Sequence, residues 1–145
     1  MQKVGIYMKF DRRFFSNLLV FILLIIVGIV ISTFQANNSV KLAFGDDIMA
    51  ISSKDYNINI EYADVESLEL VDNPDLCEVV DGKNRPELQS GVWKNEAWGE
   101  YHLCFNPSAT NCIVVHLTDG QTFVFNYNTN EATAEAYQEF LTHIN

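Results

Sequence analysis

Three patterns of apolar and polar positions follow one another along the chain. From Phe14 to Ile31 the residues run apolar for eighteen positions, with only Ser16, Asn17 and Gly28 as weaker members and no charge. From about residue 40 to 127, apolar and polar residues alternate in short runs divided by Gly, Asn, Asp and Pro. Finally, Ala134, Tyr137, Leu141 and Ile144 recur at steps of 3, 4 and 3, the spacing of one helix face.

The first pattern predicts a helix that is apolar on every side. Eighteen residues make about 27 Å of helix, close to the hydrocarbon thickness of a bilayer. A helix lying in water would show a polar residue at nearly every turn, and Leu18 to Val27 shows none. Burial in a soluble core would need a larger protein than 145 residues provide. A cleaved export signal is the competing reading. Signal cores usually run about 7–15 residues and end at a small-x-small site. This run is longer, Phe34-Gln35-Ala36 matches such a site poorly, and Val30-Ile31-Ser32 lies inside the run. The expected organisation is a basic tail at 1–13, a transmembrane helix at 14–34, a polar linker at 35–39 and a folded domain at 40–145.

The second pattern predicts half-buried antiparallel strands. Leu42 and Phe44 alternate before Gly45-Asp46-Asp47, and Ile48 to Ser52 follows. "YNINIEY" places Tyr56, Ile58, Ile60 and Tyr62 on one face, and "VESLELV" does the same for Leu68 and Leu70. "EYHLCF" offers Tyr101, Leu103 and Phe105; "CIVVHL" offers Ile113, Val115 and Leu117; "TFVFNY" offers Phe123, Phe125 and Tyr127. Asp119-Gly120 between the last two runs predicts a tight hairpin, because Gly tolerates the positive φ such turns need. Asn128 with Glu131 three residues on resembles a helix cap. The expected plan is mainly β (α+β), a bent antiparallel sheet or small barrel closed by one C-terminal helix.

Charge divides the chain in the same place. Residues 1–13 carry Lys3, Lys9, Arg12 and Arg13 against Asp11, a net of +3, whereas residues 35–145 carry 5 basic and 18 acidic side chains, a net of −13. Basic residues before an apolar span predict the N-terminus on the cytoplasmic side and the domain outside. The acidic domain argues against nucleic acid, which is held by Lys and Arg, and against anionic lipid headgroups.

Several short stretches carry a family likeness. They are Gly91-Val92-Trp93, Trp98-Gly99-Glu100-Tyr101-His102-Leu103, Ile113-Val114-Val115, Asp119-Gly120, Phe125-Asn126 and the helix start from Thr133 to Tyr137, preceded by "IEYADVESLEL" at 60–70. Together they resemble the bacterial pleckstrin-homology-like (PH-like) domains, which often follow membrane spans. The resemblance covers roughly 40–145 and implies about seven strands in a strongly bent sheet plus the C-terminal helix. This chain departs from the family in being less basic over 82–91, where only Lys83 and Arg85 stand.

Candidate chemistry is sparse. If "FNPSATN" loops between two paired strands, Cys104 and Cys112 face each other within disulfide reach; two free apolar thiols fit the same positions. Cys77 has no evident partner, and Asp75 and Glu78 disfavour its thiolate. His102, His116 and Cys104 are the sharpest metal constellation, but lack the close ligand spacing of structural zinc sites. "DNPD" and Asp81-Gly82 do not match a calcium loop, and no catalytic motif or cofactor is expected. Trp93 and Trp98 bracket the turn "KNEA", as core residues or as a contact patch for a partner. The function expected is a membrane-tethered, non-catalytic interaction module on the extracytoplasmic face. Its partner would be another membrane or envelope protein. The alternatives are a carrier or sensor of a small apolar ligand, and then an enzyme built on the histidines and a carboxylate.

Overall fold

The computed structural model describes residues 12–37 and 40–145, with side chains at 16–32 and 40–145. It divides into two units, residues 1–36 and 37–145. In the first, helix α1 spans Arg12–Asn37. Leu18, Leu19, Phe21, Leu23, Ile26 and Val30 are all exposed, so apolar side chains point outward on every side. Ser32 donates its hydroxyl to Gly28 O at 2.9 Å, satisfying a polar group within the helix. Among the described residues no helix is long and apolar enough to cross a membrane; the side chains described within α1 are those of residues 16–32. The basic tail up to residue 11 lies outside the described residues. So do positions 38 and 39 of the expected linker, whereas 35–37 continue the helix.

The second unit is mainly β with one C-terminal helix, as the alternation predicts, but it holds two sheets rather than one. The smaller sheet is antiparallel, in the order β1 (Lys41–Phe44), β2 (Ile48–Ser52), β3 (Asn57–Glu61). The larger comprises β4 (Val65–Asp72), β5 (Glu78–Asn84), β6 (Gln89–Asn95), β7 (Gly99–Phe105), β8 (Asn111–Leu117) and β9 (Thr122–Phe125). Its order is β4-β8-β9-β7-β6-β5. Asp119-Gly120 makes the expected hairpin: Gly120 has φ +88°, its N–H donates to Leu117 O at 2.9 Å, and Asp119 Oδ1 accepts from Gln121 N at 2.9 Å. That hairpin then places β9 between β8 and β7, parallel to β7. The expectation of about seven antiparallel strands is thereby corrected to nine among the described residues, with β7 and β9 parallel.

The central strands are buried on both faces. One face carries Cys104, Ile113, Val115, Phe123 and Phe125 against Met49, Ile51, Ile58 and Ile60 of the smaller sheet and Phe140 of helix α2 (Asn130–Ile144). The opposite face carries Trp93, Tyr101, Leu103, Phe105, Cys112, Val114 and Val124. Double burial explains why "CIVV" reads as an apolar run rather than a strict alternation. Helix α2 starts one residue later than the cap expected at Asn128. Thr129 is the cap, its hydroxyl accepting from Ala132 N at 3.2 Å. Its buried face is Thr133, Ala136 and Phe140, with Tyr137 and Ile144 beside them, so the expected face is rotated by about one position.

Strands β4 and β5 are opposite edges of the six-stranded sheet, yet only residues 73–77 join them. Laid flat, six strands span about 24 Å edge to edge, more than so short a connection reaches while it also makes a turn. The sheet therefore curls around its second face. The edges are not hydrogen-bonded to each other, so no closed barrel forms. Tight coiling is visible between β5 and β6. A Cβ at Gly82 would lie 2.1 Å from Ser90 O, and one at Gly91, where φ is +106°, 2.4 Å from Asp81 O. Only glycine fits either position.

Candidate functional site

The connection that curls the sheet also builds a groove. Residues 73–77 cross the mouth of the second apolar face, held by three hydrogen bonds. Asn73 N donates to Thr110 O at 2.7 Å, Asn95 Nδ2 to Asp75 O at 2.8 Å and Tyr101 Oη to Leu76 O at 2.7 Å. Asn95 has a second task, its Oδ1 accepting from Trp98 N at 2.7 Å. One buried side chain therefore ties both walls together, the 73–77 segment and the β6–β7 turn. Between the walls lies a groove of about 540 Å³, lined by Val71, Pro74, Ala97 and Trp98 and rimmed by Asp75, Cys77 and Glu96. An adjoining depression of about 490 Å³ adds Glu78 and Lys94.

Of the two tryptophans expected to offer a partner contact, only Trp98 lines this groove. It is half-buried and packs edge-on against Tyr101, with ring centroids 5.2 Å apart at 87°. Trp93 is 2% exposed, packs in the core and donates its indole N–H to Ser90 O at 3.2 Å. Cys77 is exposed at the groove's rim with φ +57°. The Asp75 carboxylate accepts from its thiol at 3.2 Å and pushes the thiol pKa up, because a neighbouring anion disfavours the thiolate. The groove thus presents an aromatic wall, two carboxylates and a protonated thiol. That set suits contact and charge recognition better than nucleophilic chemistry.

The remaining candidates are separated by β9. Since β7 and β8 are not neighbours, Cys104 and Cys112 do not face each other, and of the two readings of these positions the structure has the free thiols, on opposite faces of the sheet. Burial raises their pKa values to about 11 and about 12. The two histidines likewise part. His102 stacks between Tyr56 and Phe123 and shares a hydrogen bond through Nδ1 with Tyr56 Oη, while burial lowers its pKa. His116 Nδ1 pairs with Thr122 Oγ1 at 2.9 Å. Among the described residues no group of three or more His, Cys, Asp or Glu is placed to hold a metal ion.

Two functional placements escape the sequence pattern. Asn95 reads as a polar turn residue; its signal is an Asx-type residue opening "NEAW". Asp55 joins Lys83 at 2.9 Å and Arg85 at 2.8 Å, clipping the β2–β3 turn to the larger sheet. The hydrogen bond from Lys83 holds the Asp55 carboxyl below its usual range. No family model, no curated protein and no solved structure matches this chain.

Proposed function

We propose that this chain is a single-pass membrane protein whose acidic domain stands outside the cytoplasm and serves as a non-catalytic protein-contact module. The observation that carries the contact reading is the groove between residues 73–77 and Trp98. Its walls are fixed by Asn95, so an aromatic surface is held open rather than folded inward. The few residues that carry most of the energy of a protein contact are enriched in Trp and Tyr. The tether reading is supported by the uncharged run from Phe14 to Ile31 and by α1 turning apolar side chains outward on all sides. The +3 tail before the run and the −13 domain after it support the orientation. The mainly β unit with one C-terminal helix is compatible with the PH-like plan. The second sheet and the parallel β7–β9 pair depart from it, so the proposal leans on groove and tether more than on family.

The orientation is testable with a residue already in place. Cys77 is exposed, whereas Cys104 and Cys112 are buried. Intact cells, first reduced with an impermeant phosphine, are treated with an impermeant maleimide of large mass. Labelling of Cys77 in the membrane fraction before permeabilisation is the expected result. Labelling only after permeabilisation refutes the orientation, and a labelled protein in the medium refutes the anchor.

A further inference from the structure

We propose that the Trp98 groove takes a lysine or arginine side chain of its protein partner, presented on an extended, basic segment. This rests on the reading of the groove as a contact surface and names the chemistry of what it contacts. Val71, Pro74, Ala97 and Trp98 give the groove apolar and aromatic walls. Asp75 and Glu96 stand at its rim, and Glu78 in the adjoining depression, against the single base Lys94. Long basic side chains match that arrangement, with an aliphatic stem to lie along apolar wall and a cationic head to reach carboxylates. The tryptophan ring adds attraction for a cation near its face.

Two further observations favour this occupant. Glu96 is exposed, and neither ion pair among the described residues involves it, so its charge is available at the rim. By contrast, the acid at Asp55 is already consumed by Lys83 and Arg85. The rim is also tied down: both ends of the 73–77 segment adopt left-handed backbone, Asn73 at φ +50° and Cys77 at +57°, and three hydrogen bonds hold Asn73, Asp75 and Leu76. A preformed site loses less entropy on binding than a mobile one. A small apolar ligand would leave Glu96 unpaired, and an acidic segment would be repelled by it and by Asp75.

The test uses the full chain in a neutral detergent and three dye-tagged hexapeptides of alternating Lys and Ala, Gln and Ala, or Glu and Ala, followed by fluorescence anisotropy. The lysine peptide is expected to bind the native chain. It should weaken by about tenfold on Glu96→Lys and on Trp98→Ala. Glu135→Lys, on the exposed side of α2, makes the same change in net charge away from the groove and is expected to alter binding by less than about threefold. Equal loss from Glu96→Lys and Glu135→Lys would mean attraction to overall charge, and would overturn the proposal. Trp98-dependent binding of the glutamine or glutamate peptide in preference to lysine would overturn the cationic partner while leaving the contact surface standing. Binding of none of the three would overturn the proposal, and the Cys77 labelling then bears independently on the tether.

Discussion

Asn126 gives the sharpest test of how the larger sheet is held. It is fully buried at the end of β9 and spends its whole side chain on the 105–111 loop. Its Oδ1 accepts from Asn106 N at 2.6 Å, and its Nδ2 donates to Asn106 O at 3.0 Å and Asn111 O at 3.1 Å. Replacing it with Ala strands one donor and two acceptors beside residues that are themselves 7% and 5% exposed. Each stranded group costs about 1–3 kcal/mol, and at the low end the total is about 3 kcal/mol. Against a typical domain stability of about 5–15 kcal/mol that is a large fraction. Asn130 is a matched control. Its side chain also makes three hydrogen bonds to the same loop, to Thr110 N, Thr110 Oγ1 and Asn111 N, but it is exposed. Water can replace those bonds, so Asn130→Ala should cost about 1 kcal/mol or less. Asn126→Asp keeps the shape and exchanges the donor for an anion facing two carbonyls, and should be at least as harmful as Ala. Urea unfolding of residues 37–145, read by the fluorescence of buried Trp93, measures all three. Equal costs for Asn126→Ala and Asn130→Ala, or a well-tolerated Asn126→Asp, would refute the argument from burial.

Three other outcomes follow from the same geometry. His102 is held neutral by burial, its folded pKa lying below the unfolded value of about 6.5. The unfolded chain therefore binds its proton first. Stability should hold above that pH and fall as pH drops from about 6.5 toward the folded pKa, and His102→Gln should flatten this slope; an unchanged slope would assign it elsewhere. Because burial pushes Cys104 and Cys112 up to about 11 and about 12, a disulfide-exchange reagent at neutral pH should titrate only Cys77 in the folded chain, slowly, and three thiols after denaturation. Fast reaction of a second thiol in the folded state would contradict the placement. Residues 37–145 should not sediment with anionic liposomes at physiological salt, since Asp55 already engages Lys83 and Arg85. Pelleting with anionic but not neutral vesicles would reverse that expectation.

Where one face of a strand meets the core, the alternation was readable from sequence. Ile58, Ile60 and Tyr62 lie buried on the face that "YNINIEY" predicts, and the Asp119-Gly120 hairpin forms where it should. Topology was not readable in the same way. Nothing local distinguishes a β7–β8 hairpin from two strands with β9 laid between them, so the facing cysteines and paired histidines were expected on a neighbour relation that long-range pairing replaces. Strand β5 left no signal at all. All seven of its residues are exposed, and period-2 patterning exists only where one side is buried. Of the candidate site, Trp98 was legible as a large side chain in a polar turn, whereas Asn95 was not, because its role depends on a segment twenty residues earlier.

The segment that resisted pattern reading is also the one that builds the groove. Residues 73–84 break several local rules together. Two non-glycine residues sit in left-handed backbone, Val79 and Val80 are 41% and 50% exposed, and Gly82 fits only because it lacks a Cβ. Each feature works against local stability, and together they are tolerated because the connection must bring one sheet edge around to the other. In β3, β8 and β9, by contrast, patterning and burial agree. Conflict between local preference and global fold is expected where a surface is kept for something other than folding. The coincidence of that conflict with Trp98, Asp75 and Glu96, rather than with His102 or the buried thiols, is the reason the proposed contact is sought at the groove. A cheaper segment would satisfy the chain. Replacing Asn73 with Gly relieves one left-handed residue while leaving the side chains of Trp98, Asp75 and Glu96 as they are, and should raise stability by about 1 kcal/mol at most. If that variant binds the lysine peptide less well, the backbone conformation at Asn73 serves the shape of the rim; if binding is unchanged, the strain is only the cost of curling the sheet.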